Sequence, residues 1–225
     1  MKHIVVLSGA GISAESGLKT FRDADGLWMG YNIEDVATPA AFQKNPQLVL
    51  EFYNQRRADI IQASPNEAHL GLAKLEEKYK VTIITQNIDD LHERAGSSNV
   101  LHLHGEILKM RCSKNPNIVS DIKGDINLGD LSSEGHQLRP NIVWFNEPVP
   151  MIEIAAHIMQ TADLFLLIGT SLQVYPAAGL IDYLKDDIPK YIIDKKIPPT
   201  QHLRNIIPIE KPASQGIAEL IQVLS

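Results

Sequence analysis

The feature that most constrains the fold of this chain is a set of short apolar segments that alternate with helix-like stretches. The predicted strands are residues 3–7, 81–85, 164–168 and 191–193. Continuous apolar runs rich in β-branched residues are typical of strands buried on both faces, as in a parallel sheet. The pattern therefore indicates a sheet that is covered on both sides.

The stretches between these strands carry helical spacing of apolar residues. The predicted helices are residues 45–63, 69–78, 152–159 and 217–224. Strands that alternate with helices in this way predict an α/β fold, here a Rossmann-like parallel sheet with helices on both faces.

Two segments interrupt the alternation and predict a small lobe formed by two insertions. Excursions this long usually form a lid or a second lobe. We assign residues 1–17, 66–107 and 141–225 to a Rossmann-like domain, and residues 18–65 and 108–140 to a small domain.

Composition excludes several classes of function. The chain has 21 Lys plus Arg against 27 Asp plus Glu, a net charge of −6, which argues against nucleic acid as the main ligand. No stretch approaches the roughly 18 consecutive apolar residues of a membrane span. A single cysteine, Cys112, excludes an intramolecular disulfide. We expect a cytoplasmic protein without a membrane or nucleic-acid partner, and the oligomeric state stays open.

A glycine-rich segment follows the first predicted strand directly. Residues 9–14 read Gly-Ala-Gly-Ile-Ser-Ala, a G-x-G-x-x-A pattern ahead of a helix-like stretch. Its glycines would let the backbone approach a diphosphate, and the helix N-terminus would supply amide donors. The alternative is a tight turn that binds nothing. An ordinary dehydrogenase carries an acidic residue at the tip of its second strand, about 20 residues later. No strand precedes Asp23 or Asp25 here, so routine hydride transfer is disfavoured.

Two further groups of polar residues follow predicted strands. Residues 86–89, Gln-Asn-Ile-Asp, come after the strand at 81–85, at the sheet edge where ligands collect. Their side chains suit ribose hydroxyls or a carboxamide, although Asn and Asp also cap helices. His102 and His104 come next, and histidine is the usual general base near neutral pH. A lone histidine is more often structural, and His102 is the better candidate for that role.

These motifs, in this order, resemble the sirtuin family of NAD-dependent protein deacylases. The resemblance also takes in residues 15–17, 21–22, 138–147, 169–171 and 212–214. It implies that an acyl-lysine protein is the substrate and NAD the cofactor. In sirtuins the acyl-lysine carbonyl oxygen attacks the ribose carbon that bears nicotinamide, and the acyl group ends on ADP-ribose.

The resemblance also assigns roles. The implied catalytic residues are His104, as general base on a ribose hydroxyl, Asn87 and Asp89. The residues implied in NAD binding are Gly9, Ala10, Gly11, Ile12, Ser13, Phe21, Arg22, Gln86, Asn87, Ile88, Asp89, Gly169, Thr170, Ser171, Asp194 and Ala213. The groove for an extended substrate peptide would be lined by Val143, Phe145, Asn146 and Glu147.

The first insertion resembles the class III branch of sirtuins, which removes succinyl and malonyl groups. Tyr53 and Arg56 match its Tyr-x-x-Arg pair, and residues three apart share a helix face. Arg56 would grip an acyl carboxylate and the Tyr53 hydroxyl would add a donor, while the small Ala37 would leave room for a longer acyl chain. The alternatives are a surface helix pair and a deacetylase without acidic-acyl preference.

The sequence departs from the family at three places. Most sirtuins hold a structural zinc with two cysteine pairs, but here only Cys112 remains and Asn115 stands where its partner belongs. We therefore expect no structural zinc in a degenerate zinc-ribbon-like module. Asn146 replaces the usual glycine and Asp194 the usual asparagine. These departures leave open an ADP-ribosyltransferase or NAD hydrolase on the same scaffold, and a non-catalytic NAD-binding module.

Overall fold

The computed structural model describes residues 1–20, 30–200 and 202–224. The strands within these ranges are β1 (His3–Ser8), β2 (Lys80–Thr85), β3 (Val100–His102), β4 (Gly105–Cys112), β5 (Val119–Asp121), β6 (Leu138–Ile142), β7 (Leu164–Ile168), β8 (Lys190–Asp194) and β9 (Ile206–Glu210). The α-helices are α1 (Ile33–Val36), α2 (Pro39–Lys44), α3 (Pro46–Gln62), α4 (Glu67–Leu75), α5 (Leu91–Arg94), α6 (Ile152–Gln160) and α7 (Ala213–Leu224). Short 3₁₀ helices occupy Ala10–Ile12, Ala14–Ser16 and Ala177–Tyr183.

The larger sheet has six parallel strands in the order β3-β2-β1-β7-β8-β9. The four predicted strands are its central ones, so the predicted Rossmann-like α/β fold is confirmed. β3 and β9 at the two edges are absent from the prediction. β3 has only three residues, and β9 contains Pro208, which a sheet tolerates at its edge because proline cannot donate to a ladder.

Helices cover both faces of this sheet, and alternate residues of β1 divide between the two layers. Ile4 and Val6 pack with apolar residues of α4 and α7. Val5 and Leu7 pack with α6 and the 3₁₀ helix at Ala177–Tyr183. Successive strand side chains point to opposite faces, and helices cover both faces here, so the segment from Ile4 to Leu7 is apolar at every position. Each such side chain contributes about 1.5–3 kcal/mol through burial.

A second sheet is antiparallel, with the order β5-β4-β6. Its β4 and β6 contribute Ile107 and Ile142 to an apolar cluster that also contains Val49, Phe52 and Ile60 of α3. The helical segment after the glycine-rich turn and the small sheet therefore share one core, although they lie far apart in sequence.

The carboxyl ends of four strands meet at one edge of the large sheet. Gly9 follows β1, Gln86 follows β2, Gly169 follows β7, and Asp194 ends β8. The chain runs outward in opposite directions from β1 and β7, and such a switch point is where open α/β sheets bind ligands. Within the described residues, no helix combines the length and the apolar character that crossing a bilayer requires.

Candidate active site

A cleft of about 370 Å³ opens at this edge of the sheet. Its walls come from the glycine-rich turn, the loop after β2, the loop after β6 and the loop after β7. The predicted site residues that line it are Gly9, Ala10, Gly11, Ser13, Ala37, Arg56, Gln86, Asn87, Ile88, Asp89, His104, Val143, Phe145, Asn146, Glu147, Gly169, Thr170, Ser171 and Asp194.

Three predicted residues do not line the cleft. Ile12 and Ala213 are buried in the core on one face of the large sheet, and Tyr53 is buried in the core shared with the small sheet. Phe21 and Arg22, which the resemblance implies in NAD binding, lie outside the described residues.

Several lining residues are missing from the prediction. They are Leu18, Lys19, Thr20, Ile142, Trp144, Val149, Val174, Tyr175 and Pro176. Most of them adjoin predicted ones in sequence, and a search extended along each loop at the sheet edge would have found them. Lys19 and Thr20 lie between the matched residues 15–17 and 21–22, and Arg56 of α3 donates a hydrogen bond to the Lys19 carbonyl.

Gly9 and Gly11 sit against the backbone that follows β7. The Gly11 amide donates a hydrogen bond to the Gly169 carbonyl over 2.8 Å, and Gly169 has a left-handed φ of 64°. A Cβ on Gly11 would lie 2.7 Å from the Gly169 Cα, and a Cβ on Gly169 would lie 2.3 Å from the Ile12 nitrogen. Glycine is required because two backbones meet where a side chain has no room.

The expected helix after this turn is not an α-helix, so that part of the prediction is wrong. The chain makes two single 3₁₀ turns, and Gly17 ends the second with φ 84°. Such short turns align few peptide dipoles, so no α-helix macrodipole points at the cleft from here. The Glu15 carboxylate instead accepts hydrogen bonds from the Ser214 amide (3.0 Å) and hydroxyl (2.5 Å), which ties this turn to α7.

Asn87 and Asp89 share Ser13 as a common hydrogen-bond partner. The Asn87 Nδ2 donates to Ser13 Oγ, and Ser13 Oγ donates to Asp89 Oδ2, both over 3.1 Å. Asp89 Oδ1 also accepts from the Leu91 amide at the start of α5, over 3.2 Å. Burial raises the pKa of Asp89, and these hydrogen bonds oppose the rise. The carboxylate therefore accepts from the first amide of α5 and lines the cleft at the same time.

The loops after β2 and β7 are held to each other beside the cleft, and Asp194 at the end of β8 is held within its own loop. Gln86 Nε2 donates to Thr170 Oγ1 over 3.1 Å. Asp194 Oδ1 accepts from the Lys196 amide over 3.1 Å, which leaves its second oxygen for other donors at the cleft. This end of the cleft carries hydroxyl, amide and carboxylate groups of the kind that bind ribose hydroxyls.

His104 is oriented by its backbone neighbour. Its Nδ1 lies 3.0 Å from the Gln86 carbonyl oxygen. A carbonyl only accepts, so Nδ1 carries the proton, and in the neutral ring Nε2 is an acceptor. Burial lowers the pKa of His104. A neutral histidine at the cleft, with its tautomer fixed, is the form that a general base requires.

The candidate acyl pocket lies beside the glycine-rich segment. Arg56 of α3 is 7% exposed and lines the cleft, and its Nη2 donates to the Lys19 carbonyl over 3.1 Å. Tyr53, one turn earlier, packs with Phe52 and Trp144 at ring-centroid distances of 5.1 and 6.2 Å. Burial raises the pKa of Tyr53, so its hydroxyl keeps its proton.

The loop after β6 is fixed from two sides. The Val143 amide donates to the His104 carbonyl (2.9 Å), and the Phe145 amide donates to the Ala37 carbonyl (3.0 Å). Asn146 has a left-handed φ of 68°, which glycine adopts freely and asparagine tolerates better than most residues. The glycine usual at this position in sirtuins and the asparagine here therefore answer the same backbone requirement.

Glu147 lines the cleft, but its carboxylate binds within the protein. It accepts from Arg139 Nη1 at 2.7 Å, from Arg139 Nη2 at 3.0 Å and from the Trp144 amide at 2.8 Å. Arg111 Nη2 approaches to 3.4 Å. Glu147 thus holds the shape of the loop.

The residues of the expected zinc module do not fit a structural zinc site. Ser132 Oγ lies 3.2 Å from Cys112 Sγ, and Asn115 Nδ2 donates to Glu134 Oε1 over 3.0 Å. Structural zinc takes four thiolate or imidazole ligands, and this set has one thiol. Among the described residues, no group of three or more His, Cys, Asp or Glu could hold a metal ion.

Comparison with known proteins finds similar sequences in one family of NAD-dependent enzymes. The Sir2 family matches residues 9–176. The NAD-dependent protein deacylase of Helicobacter pylori is 54% identical over 224 residues, which cover 100% of this chain and 98% of that protein. The NAD-dependent protein deacylase of Bacteroides thetaiotaomicron is 50% identical over 230 residues, which cover 100% and 98%.

Solved structures show the same fold. A Sir2 homolog–NAD complex superposes with a TM-score of 0.88 at 36% identity, over 100% of this chain and 91% of that chain. A Sir2–p53 peptide–NAD⁺ complex superposes with a TM-score of 0.81 at 29% identity, over 98% and 92%. The chain belongs to the Sir2 family.

Proposed function

We infer that the chain is an NAD-dependent protein deacylase, and we propose that His104 is its general base. The observation that carries this proposal is the hydrogen bond from Nδ1 to the Gln86 carbonyl, because it leaves Nε2 of a half-buried, neutral ring as an acceptor at the cleft. NAD, when bound, supplies an electrophilic ribose carbon and a good leaving group, nicotinamide. The protein has to orient it, exclude water and accept a proton.

The cofactor residues divide along the cleft. We propose that Gly9, Ala10 and Gly11 face the diphosphate, because only glycine permits the close packing on Gly169. Asn87 and Asp89 would contact the nicotinamide and its ribose, since Ser13 holds both side chains in place. The adenosine side would be bound by Gly169, Thr170, Ser171 and Asp194.

His104→Ala tests the central assignment. We expect the variant to lose turnover of acyl-lysine peptide while its NAD affinity, measured by calorimetry, changes little. Leu101→Ala, in β3 shortly before His104 but outside the cleft lining, is the control for folding. Substantial turnover by His104→Ala would refute the assignment. Nicotinamide release without peptide, or ADP-ribosylated protein, would favour NAD hydrolysis or ADP-ribosyl transfer instead.

We further propose that the enzyme prefers acyl groups that end in a carboxylate. Arg56 supports this, because a buried guanidinium lines the cleft beside the small Ala37 and binds carboxylates with two donors. Arg56→Met should reduce kcat/KM for succinyl-lysine by about tenfold or more, as for a lost charged hydrogen bond, and should spare acetyl-lysine. Tyr53→Phe removes one hydroxyl from a residue that does not line the cleft, so it should change both values less than Arg56→Met does. Equal losses on both peptides would contradict the preference.

The substrate is proposed to be an acyl-lysine protein that docks as an extended strand along residues 143–147, with no nucleic acid or membrane partner. We propose a cytoplasmic location, in keeping with a single cysteine. We also propose that residues 18–65 and 108–140 form a small domain without structural zinc. Metal analysis of protein purified without chelator tests the last point, and stoichiometric zinc would refute it.

A further inference from the structure

His102 lies outside the cleft lining, yet both of its ring nitrogens bond directly behind the cleft. Nδ1 lies 3.0 Å from the Asn87 carbonyl oxygen, and Nε2 lies 2.7 Å from Oε1 of Glu93 on α5. The His102 side chain is 8% exposed. A carbonyl and a carboxylate both accept hydrogen bonds, so both ring nitrogens must donate. This is the geometry of an imidazolium ion, unlike the neutral ring of His104.

The two histidines hold neighbouring peptide groups of one loop. His104 bonds the carbonyl of Gln86, and His102 bonds the carbonyl of Asn87. Between them, the Leu103 amide donates to the Thr85 carbonyl over 2.9 Å. The end of β3 therefore fixes three successive carbonyls at the point where β2 delivers its polar residues to the cleft.

We propose that His102, held by Glu93, is a positioning residue of the deacylase: as a cation it fixes the Asn87 backbone and favours the ionised form of the buried Asp89 carboxyl. This rests on the roles proposed above for Asn87 and Asp89. Asp89 is 4% exposed. Burial raises its pKa above the ordinary value, and the hydrogen bonds from Leu91 and Ser13 together with the charges of Arg56 and His102 offset part of that rise.

Several charged groups surround His102. Those that face it from the neighbouring elements are Asp89, Asp90, His92, Glu93, Glu106, Lys109 and Asp121. Burial lowers the pKa of His102. The hydrogen bond and the charge of Glu93 raise this pKa by more than burial lowers it, so the net shift is upward. The cation is present below this raised pKa and is lost as the pH rises through it. His104 has to be neutral, so activity is lost at low pH when His104 gains a proton. Activity is lost at high pH when His102 loses its proton.

Glu93→Gln is the decisive variant, because it removes the charge and keeps a side chain of similar size. We expect the pKa of His102 to fall, measured from its ring Cε1–H signal in ¹H–¹³C NMR spectra and assigned by its loss in His102→Gln. The alkaline limb of the kcat/KM profile should move to lower pH by the same amount, while the acid limb stays. His102→Gln should reduce kcat/KM about tenfold near neutral pH, as for a lost hydrogen bond from a charged donor.

Glu106→Gln is the matched control. Glu106 also faces His102, but its carboxylate pairs with Lys109 over 2.8 Å, so the His102 pKa and the alkaline limb should move less. A wild-type pKa of His102 at or below its ordinary 6.5 would overturn the proposal. So would an alkaline limb that stays in place while Glu93→Gln lowers the pKa. Asp89→Asn tests the role of Asp89 by itself. Wild-type activity of that variant would refute this role, and an unchanged pKa of His102 in it would refute the interaction between the two charges.

Discussion

The Glu147 carboxylate is the most heavily bonded group at the cleft, and Glu147→Gln should destabilise the fold around it. Arg139, its main partner, has a side chain that is only 6% exposed, and its guanidinium carbon lies 3.2 Å from the centroid of the Trp144 ring. A glutamine places an amide group where one carboxylate oxygen accepted hydrogen bonds. The Arg139 guanidinium then faces the NH₂ group of the new amide, and it keeps its positive charge after the negative charge of the Glu147 carboxylate has been removed.

The size of the effect follows from this burial. Breaking a buried ion pair by removing one partner costs about 3–5 kcal/mol. The Glu147 side chain keeps 18% exposure, so we expect the lower end, a loss of about 3 kcal/mol in the free energy of unfolding. For a chain of this length that corresponds to a fall in Tm of about 6–12 °C.

Urea denaturation followed by circular dichroism would measure this loss, with Glu106→Gln as control. The Glu106–Lys109 pair has side-chain exposures of 35% and 38%, and exposed pairs contribute about 0–1 kcal/mol. Burial raises the pKa of Glu147. The hydrogen bonds from Arg139 and the Trp144 amide, together with the guanidinium charges, lower this pKa by more, so the net shift is downward. Its contribution is complete above the ordinary value of 4.5 and is lost as the pH falls through the depressed one. A variant within about 1 kcal/mol of wild type, or a gap that persists in acid, would refute this reasoning.

Three further predictions concern the backbone and His104. Asn146→Gly should leave the free energy of unfolding almost unchanged and Asn146→Val should lower it by about 1–2 kcal/mol, because φ is left-handed there; equal values in urea denaturation would contradict this. Gly169→Ala should be less stable than Gly129→Ala by about 1–3 kcal/mol, since both have positive φ but only Gly169 has backbone atoms where the Cβ would lie; the same assay decides. Because burial lowers the pKa of His104, the acid limb of the kcat/KM profile should have its midpoint below the ordinary 6.5, and a midpoint above it would argue against His104 as the base.

Much of the site could be predicted because its residues directly follow strands. The segment from Gln86 to Asp89 and the residues from Gly169 to Ser171 come after apolar runs that are recognisable as buried strands. Parallel strands bring their carboxyl ends to one edge, so position in sequence translates into position at the cleft. His104 follows a short edge strand that the sequence analysis does not predict, and it was found instead from its residue type and from the family resemblance.

Two features of the site differ from the prediction, and each difference has a physical cause. The turn after β1 was expected to open an α-helix, but Gly17 adopts φ 84° and ends the second 3₁₀ turn. Tyr53 and Arg56 share a face of α3, but only Arg56 lines the cleft, because Tyr53 packs with Phe52 and Trp144. Helical spacing predicts which residues share a face and not which of them meets a cavity.

The sequence by itself determined the α/β fold, the parallel arrangement of its central strands and the family, because these depend on local periodicity and on motifs that follow strands. Tertiary structure decided the protonation and orientation of the polar groups. His102 and His104 are two residues apart, yet one ring meets a carboxylate and a carbonyl while the other meets a carbonyl and the cleft. A side chain's partners and its burial set its charge, and both arise only when distant segments pack together.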